Sequence, residues 1–282
     1  MVFLALPRVR RRRVDAAVVF SLAIVALVAA AALLGPPLLG YGEELATADG
    51  LIPPGAAHWF GTDSLGRDIF VRTVSGARNS VVVGIGTAAL ALAAGGAIGL
   101  VAGYFPAVDR VAMRVMDGFM AIPGVLLAIA LASILGNGLL TIIVAIAVPE
   151  IPRTSRLTRS VVLTIRELPF VAAAVSVGSS TPKILLRHIL PNAVGPLVVQ
   201  ATFVCASAIL TEAVLSFLGV GTSPDIPSWG NIMATGRQFF RVAPWLIAFP
   251  GLFLSLLVLA INILGDALRD RVDPRLMSRR AA

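Results

Sequence analysis

The sequence predicts an all-α, polytopic membrane protein with six transmembrane helices, and three observations carry that expectation. The first is composition: of 282 residues, 57% are hydrophobic and 13% charged, with a mean hydropathy of +0.92. A soluble domain carries about 25% charged residues, so an ordinary cytosolic globule would lack its solvating surface. A disordered chain is excluded as well, because disorder requires low hydrophobicity and high charge. The second is a set of uncharged runs at 16–42, 79–108, 118–149, 189–211 and 242–265, since about 20 apolar residues cross the hydrocarbon. The third is the placement of the basic residues. With the N-terminus inside, 18 of the 23 Lys and Arg fall on the inner side. The outer side keeps Arg67, Arg72, Arg78, Arg237 and Arg241, which is a positive-inside bias. The net charge of +8 therefore reads as topology rather than as nucleic-acid binding, and both termini are expected in the cytoplasm.

In chain order, residues 1–15 form a cytoplasmic segment with Arg8 and Arg10, Arg11, Arg12 and Arg13. The first span is 16–36. Its apolar stretch exceeds the roughly 7–15 residues of a signal-peptide core, and Pro36-Pro37 ends it without an ordinary cleavage site, so it is expected to stay uncleaved. An extracytoplasmic loop follows at 37–79, with Glu43, Glu44, Asp49, Asp63 and Asp68. Within that loop Thr62, Asp63 or Ser64 could cap a short helix, with Leu65, Ile69 and Arg72 along it and Gly76 at its end. The transmembrane core, 80–268, holds spans at 80–104, 112–135, 139–158, 193–217 and 244–266. The long run at 118–149 is divided because Gly136-Asn137-Gly138 tolerates positive φ and makes a tight turn. Residues 269–282 form a cytoplasmic tail.

Two segments between spans carry further information. In the inner segment 153–192, Arg156, Arg159 and Arg166 suit a helix continuing toward anionic headgroups, and Leu168-Pro169 stops it. A short helix from Phe170 ends at Gly178. Another opens with Thr181 as N-cap and Pro182 at its first position. Ile184, Leu185, His188 and Ile189 share one side of it, Lys183 and Arg187 another, and Pro191-Asn192 closes it. These residues fit an in-plane amphipathic anchor and a rigid knob for a partner protein equally well. In the outer loop 219–243, with Gly219, Gly221, Pro224 and Pro227-Ser228-Trp229-Gly230, the tryptophans suit an interfacial aromatic belt, as does Trp245.

Two carboxylates fall inside apolar segments. Glu150 sits in Pro149-Glu150-Ile151-Pro152, where the fourth span breaks near its inner end, with Arg153 or Arg156 able to neutralise it. Glu212 lies in the outer part of the fifth. A charge at the bilayer centre costs about 2.5–3.5 kcal/mol on insertion scales, so each must face a partner or water. Both remain candidates for lining a translocation path or for packing helices. An ion-coupled secondary carrier would use such groups, but no inverted half-repeat is visible. An enzyme is not indicated: neither His58, expected to be solvated, nor His188, expected to pack in the knob, belongs to an H-E-x-x-H motif. Cys205, the only cysteine, reads as a small core residue. Lys183, the only lysine, follows Thr181-Pro182 rather than a Gly-x4-Gly-Lys run, so there is no P-loop. Catalytic and metal-ligating residues are therefore not expected.

Taken in order, the chain resembles the integral membrane permease subunit of ABC importers in the dipeptide, oligopeptide and nickel group, over about residues 8–275. The resemblance rests on Gly61-Thr62-Asp63, Leu65-Gly66-Arg67-Asp68, Gly76-Ala77-Arg78 and Ala102-Gly103-Tyr104-Phe105. It continues through Ala172-Ala173-Ala174, Gly178 and His188-Ile189-Leu190-Pro191-Asn192. Further on it includes Leu210-Thr211-Glu212-Ala213, Leu215-Ser216-Phe217-Leu218-Gly219, Pro227-Ser228-Trp229-Gly230-Asn231 and the tail from Leu264-Gly265-Asp266 to Asp273-Pro274. It implies a type I importer permease fold with short cytoplasmic coupling helices, in which Ala172, Ala173, Ala174, Gly178, His188, Leu190 and Pro191 couple to an ATPase. It also implies a bacterial inner-membrane location and a homologous but distinct second permease. Two ATPase subunits would bind ATP and Mg²⁺, a substrate-binding protein would work outside, and this chain itself would hold no cofactor and no nucleic acid. Di- or oligopeptides are the expected cargo, with nickel, glutathione or another small solute as alternatives. One position departs from the pattern: the family's glutamate falls on Ala172, which implies either an altered charge partner on the ATPase or an asymmetric complex.

Overall fold

The computed structural model describes residues 16–39, 49–136, 138–223 and 226–272. The arginine-rich N-terminal arm, Glu43 and Glu44, Asn137, Pro224 and the tail from Asp273 onward, with Arg275, Arg279 and Arg280, lie outside the described residues. The protein is all-helical. In chain order it runs α1 (Ala16–Leu39), α2 (Ile69–Tyr104), α3 (Pro106–Met120), α4 (Gly124–Leu135), α5 (Leu139–Arg166) and α6 (Pro169–Ser176). The short α7 (Thr181–Lys183) leads through a π-helical turn, Ile184–Ile189, into α8 (Leu190–Phe217). Then come α9 (Trp229–Gly236), a 3-10 turn at Arg237–Phe239 and α10 (Trp245–Val272). Four helical stretches, Ala16–Gly35, Ile69–Tyr104, Thr181–Phe217 and Trp245–Arg271, are long and apolar enough to cross a membrane, and the bent pair α3–α4 makes a fifth if it is counted as one broken span.

The centre of the fold is the face between α2 and α5. Gly95, Gly99 and Gly103 recur every fourth residue on α2 and form a stripe without side chains. A Cβ at Gly95 would lie 2.8 Å from the Ile151 carbonyl oxygen, and one at Gly103 would lie 2.7 Å from Val162 Cβ. The helices touch backbone to backbone, as small-residue seams allow in membranes. About three turns nearer the start of α2, Gly84 admits Ile209 and Cys205 of α8. Val28 and Ala32 of α1, Leu254, Leu257 and Val258 of α10, and Ala77, Ala206, Ile209, Ala213 and Trp229 form one continuous core around it.

Several expectations are corrected. The helix placed at 80–104 begins at Ile69, where the Asp68 side chain accepts the Val71 N–H as N-cap. Thr62, Asp63 and Ser64 cap nothing: Asp63 instead accepts the N–H groups of Leu65 (2.8 Å) and Arg67 (3.0 Å), folding 62–68 into a tight turn. Gly76 is not a terminator but a contact point, since a Cβ there would meet Ser228 Cα at 3.3 Å. The segment 112–135 is not one straight span. It breaks at 121–123 with an 86° bend, where Pro123 pushes Ile122 out of helical geometry. The hairpin is present: α4 stops at Gly136, with φ of +85°, and α5 starts at Leu139.

Pro191 does not end a helix either. The helical path runs unbroken from Thr181 to Phe217. A proline at 191 cannot donate to the turn before it and its ring crowds that turn. Widening to a π turn, with Leu190 N–H reaching Leu185 O, relieves both. Ser180, not Thr181, occupies the cap position before Thr181. Trp229 is fully buried rather than interfacial, and Trp245 donates to the Thr62 carbonyl oxygen at 3.3 Å. His58 is not solvated but pairs through Nδ1 with Asp68 Oδ2 at 2.8 Å.

Candidate functional site

The residues expected to couple to an ATPase form one compact module after α5. Leu168, held extended with ψ of 145° before Pro169, turns the chain into α6. Gly178, with φ of +74°, ends α6: its own N–H reaches Val175 O at 3.0 Å and the Ser179 N–H reaches Ala174 O at 3.1 Å. That pairing satisfies the last carbonyls of a helix too short to survive without a tertiary contact. The contact is apolar. Val171 and Ala174 of α6, Ile184, Leu185 and Ile189 of the π turn and Ala193 of α8 pack with Leu100 of α2 and Val162 and Ile165 of α5. Arg166 adds a polar tie, donating through Nη1 to Gly103 O at 3.0 Å, where α2 ends.

Of the expected coupling residues, Ala172, Ala173 and Gly178 are exposed, Ala174 is buried in the module, His188 and Leu190 are half-buried and Pro191 is exposed. The outer face holds residues that the motif did not single out. Leu168, Phe170, Val175, Val177 at 80% exposure and Leu186 at 62% present apolar side chains, beside exposed Lys183 and Arg187. Leu168 and Val175 form one pair seven residues apart and Phe170 and Val177 another, and at helical spacing the two pairs flank the buried Val171 and Ala174 on either side. Ala172 is also exposed, and an acidic residue there would meet no buried surface.

A second site lies where α4, α5 and α8 meet. A cleft of about 300 Å³ is rimmed by Phe119, Met120, Ile122, Pro123 and Gly124 at the α3–α4 bend, and Glu150 and Arg153 lie on its wall with Ser207 and Thr211. Arg153 Nη1 lies 3.3 Å from both Glu150 oxygens, and Ser207 donates to Oε1 at 3.2 Å. The other arginines of α5 are taken: Arg156 pairs with Asp117 and Arg159 with Asp109, both on α3. The structure does not bring Glu212 to this cleft. That carboxyl is buried beneath α9, with Ser216 donating to Oε1 at 2.8 Å and the Ser228 hydroxyl as a further hydrogen-bonding group. Its Oε2 has no hydrogen-bond partner among the described residues. Cys205 lies in an apolar groove of α2, α8 and α10. Among the described residues no group of three or more His, Cys, Asp or Glu could hold a metal ion.

Comparison with known proteins agrees with this architecture. The family model described as binding-protein-dependent transport system inner membrane component matches residues 95–278. The chain is 53% identical over 227 residues to a probable peptide ABC transporter permease protein of Sinorhizobium fredii, covering 80% of this chain and 78% of that protein. It is 45% identical over 226 residues to the dipeptide transport system permease protein of Alkalihalophilus pseudofirmus, covering 80% and 74%. It is 43% identical over 226 residues to the glutathione transport system permease protein of Pectobacterium atrosepticum, covering 80% and 75%. Among solved structures, an inward-facing MetNI methionine ABC transporter chain superposes with a TM-score of 0.59 at 20% identity, covering 73% of this chain and 98% of that one. That likeness is one of fold. With an all-helical membrane architecture and a family model spanning most of it, the chain belongs to the binding-protein-dependent transport system inner membrane components, as a multi-pass inner-membrane permease rather than an ATPase.

Proposed function

We propose that this chain is one half of the translocation path of an ATP-driven importer of di- or oligopeptides. The observation that carries the reading is the module at 168–191. One side of it is packed into the ends of α2, α5 and α8 and the other is an exposed apolar face. A push on that face cannot be absorbed locally, because the module shares its core with three long helices. It is passed to them as a rigid-body rotation, which is how closure of an ATPase pair would open the path outward. On this reading Ala172, Ala173 and Gly178 meet the ATPase, while Ala174, His188, Leu190 and Pro191 hold the module's shape. Two ATPase subunits bind ATP and Mg²⁺, a homologous permease supplies the other half of the path, and an external binding protein delivers cargo. The peptide cargo is supported by the peptide, dipeptide and glutathione transport systems named among the relatives.

The same reading sets six crossings with both termini in the cytoplasm. The bent pair α3–α4 is the third crossing and α5 the fourth. Glu150, Arg153 and Arg156 keep α5 from passing on composition alone, but each has an ionic partner inside the protein. Reconstitution of the full complex with its co-purifying subunits tests the proposal, reading ATPase stimulation and uptake across peptides and Ni²⁺. Stimulation by di- or oligopeptides is expected. Stimulation by Ni²⁺ alone would move the cargo to nickel, and a response to neither would remove the peptide assignment.

A further inference from the structure

The cleft between α4, α5 and α8 contains a carboxylate that no ion pair between helices uses. Asp109 and Asp117 tie α3 to α5 through Arg159 and Arg156, and Glu212 is sealed beneath α9. Glu150 is different: its side chain is 12% exposed, at the wall of an open cleft. The two groups that hold it are unequal. Ser207, on the facing helix α8, donates to Oε1 from the same cleft wall and sets the direction of the carboxylate. Arg153, whose side chain is 64% exposed, reaches both oxygens only at 3.3 Å. An exposed pair of that kind is weak and exchangeable. A carboxylate only 12% exposed, sharing its cleft with Val125, Ala128 and Ile146, is nevertheless more stable with a cation beside it than without one. The cleft therefore presents a fixed anion and a counter-ion that can leave.

We propose that Glu150 is a transit site for the ammonium group of the passing substrate, with Arg153 as the counter-ion it displaces and Ser207 as the residue that positions the carboxylate. This deepens the importer reading and rests on it for the identity of the substrate: the ammonium is the free N-terminus of a peptide. The rest of the lining suits the side chains next to that ammonium. Val125, Ala128 and Ile146 line the cleft and Phe119 and Met120 rim it, an apolar surface for side chains of varied shape, within a volume of about 300 Å³ that holds one or two residues. Exchange of one cation for another leaves the charge of the cleft unchanged, so the substrate is neither repelled nor trapped. The break at 121–123 lies on the rim, where Ile122 and Pro123 line the cleft.

The test has two arms, both on the assembled transporter in membranes. In the first, Val125→Cys is placed on the cleft in a Cys205→Ser background and labelled with methanethiosulfonates carrying either an ethylammonium or an ethylsulfonate group. With Glu150 and Arg153 both present the two charges cancel, so the reagents, each normalised to its rate with a free thiol, should differ little, whereas Arg153→Gln should favour the cationic one by about tenfold or more, as in clefts of one charge sign. Adding Glu150→Gln should bring that ratio near one. An unchanged ratio would overturn the proposal without any reference to peptides. In the second arm, uptake of a peptide with a free N-terminus is divided by uptake of its N-acetylated form. Glu150→Gln should collapse this ratio, and Ser207→Ala should lower it partway. Because the ratio is internal to each preparation, loss of folded protein does not mimic the effect. A ratio equal to wild type in Glu150→Gln overturns the proposal. A wild-type complex that moves no peptide sinks the peptide reading instead, while the labelling arm still decides the cation site.

Discussion

Trp229 of α9 donates its indole N–H to the carbonyl oxygen of Thr73 in α2 at 2.8 Å. The bond joins a short helix, reached late in the chain, to the beginning of the central one. Trp229 is fully buried among Ala77, Ala213 and Leu257, so ring and bond both hold α9 against the start of α2. Trp229→Phe keeps most of the ring and removes the bond, at a cost of about 0.5–1.5 kcal/mol. Trp229→Ala also opens a cavity and costs roughly 3–5 kcal/mol. Thermal midpoints of the detergent-solubilised complex, followed by size-exclusion chromatography, should fall in the order wild type, Phe, Ala. An alanine variant as stable as wild type would show that α9 is not anchored through this ring.

The glycine seam gives a sharper contrast, because two neighbouring glycines face different surroundings. A Cβ at Gly99 would run into the Ser155 carbonyl and the Thr158 side chain, whereas one at Gly96 would meet nothing within 4 Å. Gly96→Ala should be neutral or stabilising by up to about 1 kcal/mol, the helix-propensity difference between the two residues. Gly99→Leu should force α2 and α5 apart and cost at least about 1–3 kcal/mol, as overpacking does. Expression and thermal midpoint of the two variants, measured side by side, check this. Equal midpoints would mean the helices do not touch along the seam.

These two sites also mark where sequence reasoning succeeds and where it stops. The helical class, the hairpin at Gly136 and the short helix ending at Gly178 are all legible, because each follows from a local property: apolar length, positive φ or the residue before proline. The boundary at Ile69 is not legible from charge. Arg72 and Arg78 look like loop residues, yet they lie within α2 and Arg72 is buried inside the protein. Prolines mislead in the same way. Pro149, Pro152, Pro196 and Pro250 all lie within continuous helices, since neighbouring helices can satisfy the carbonyls they free. Trp229 misleads because an amphipathic ring suits an interface and a buried hydrogen bond equally; only the folding of 229–236 back against α2 and α8 decides. Of the candidate site, the 172–178 module follows from motif and helix pattern. The cleft does not, because Glu150, Ser207 and the 121–123 bend are distant in sequence and meet only after packing.

Asp68 holds two structures at once. One carboxylate oxygen caps α2 by accepting the Val71 N–H at 3.1 Å, and the other pairs with His58 Nδ1 at 2.8 Å. The two roles separate on substitution. Asp68→Asn keeps a good cap and removes the charge facing His58, whereas Asp68→Ala removes both and costs about 0.5–2 kcal/mol in the cap alone. His58→Ala removes only the tie between the 49–68 segment and the start of α2. Limited proteolysis of residues 50–68 in outside-out vesicles should therefore accelerate in His58→Ala and Asp68→Asn alike. Only Asp68→Ala should in addition lower the thermal midpoint markedly. A histidine variant that matches Asp68→Ala in both assays would show that the cap contributes little.

The exposed face of the 168–191 module, proposed above as the ATPase contact, offers the most direct test of that reading. Val177 and Leu186 project from the module at 80% and 62% exposure, and Ala172 is also exposed and carries no acidic group. An aspartate at Val177 or Leu186 touches no buried side chain, so the subunit should insert and fold as before, and the effect should appear only where the ATPase seats. Desolvating an unpaired charge in an apolar interface is costly enough to weaken association by about tenfold or more. Aspartate at Ile189, which is fully buried in the module core, should instead abolish accumulation of the subunit. Ala172→Glu distinguishes the two accounts of the missing carboxylate. If the ATPase cleft has lost its matching base, the new charge weakens association. If the cleft still carries one and the second permease supplies the usual glutamate, association tightens and coupled uptake rises. Pull-down of the ATPase by each variant, alongside peptide-stimulated ATPase activity, reads both outcomes, and unchanged association in all three surface variants would place the ATPase contact elsewhere on the protein.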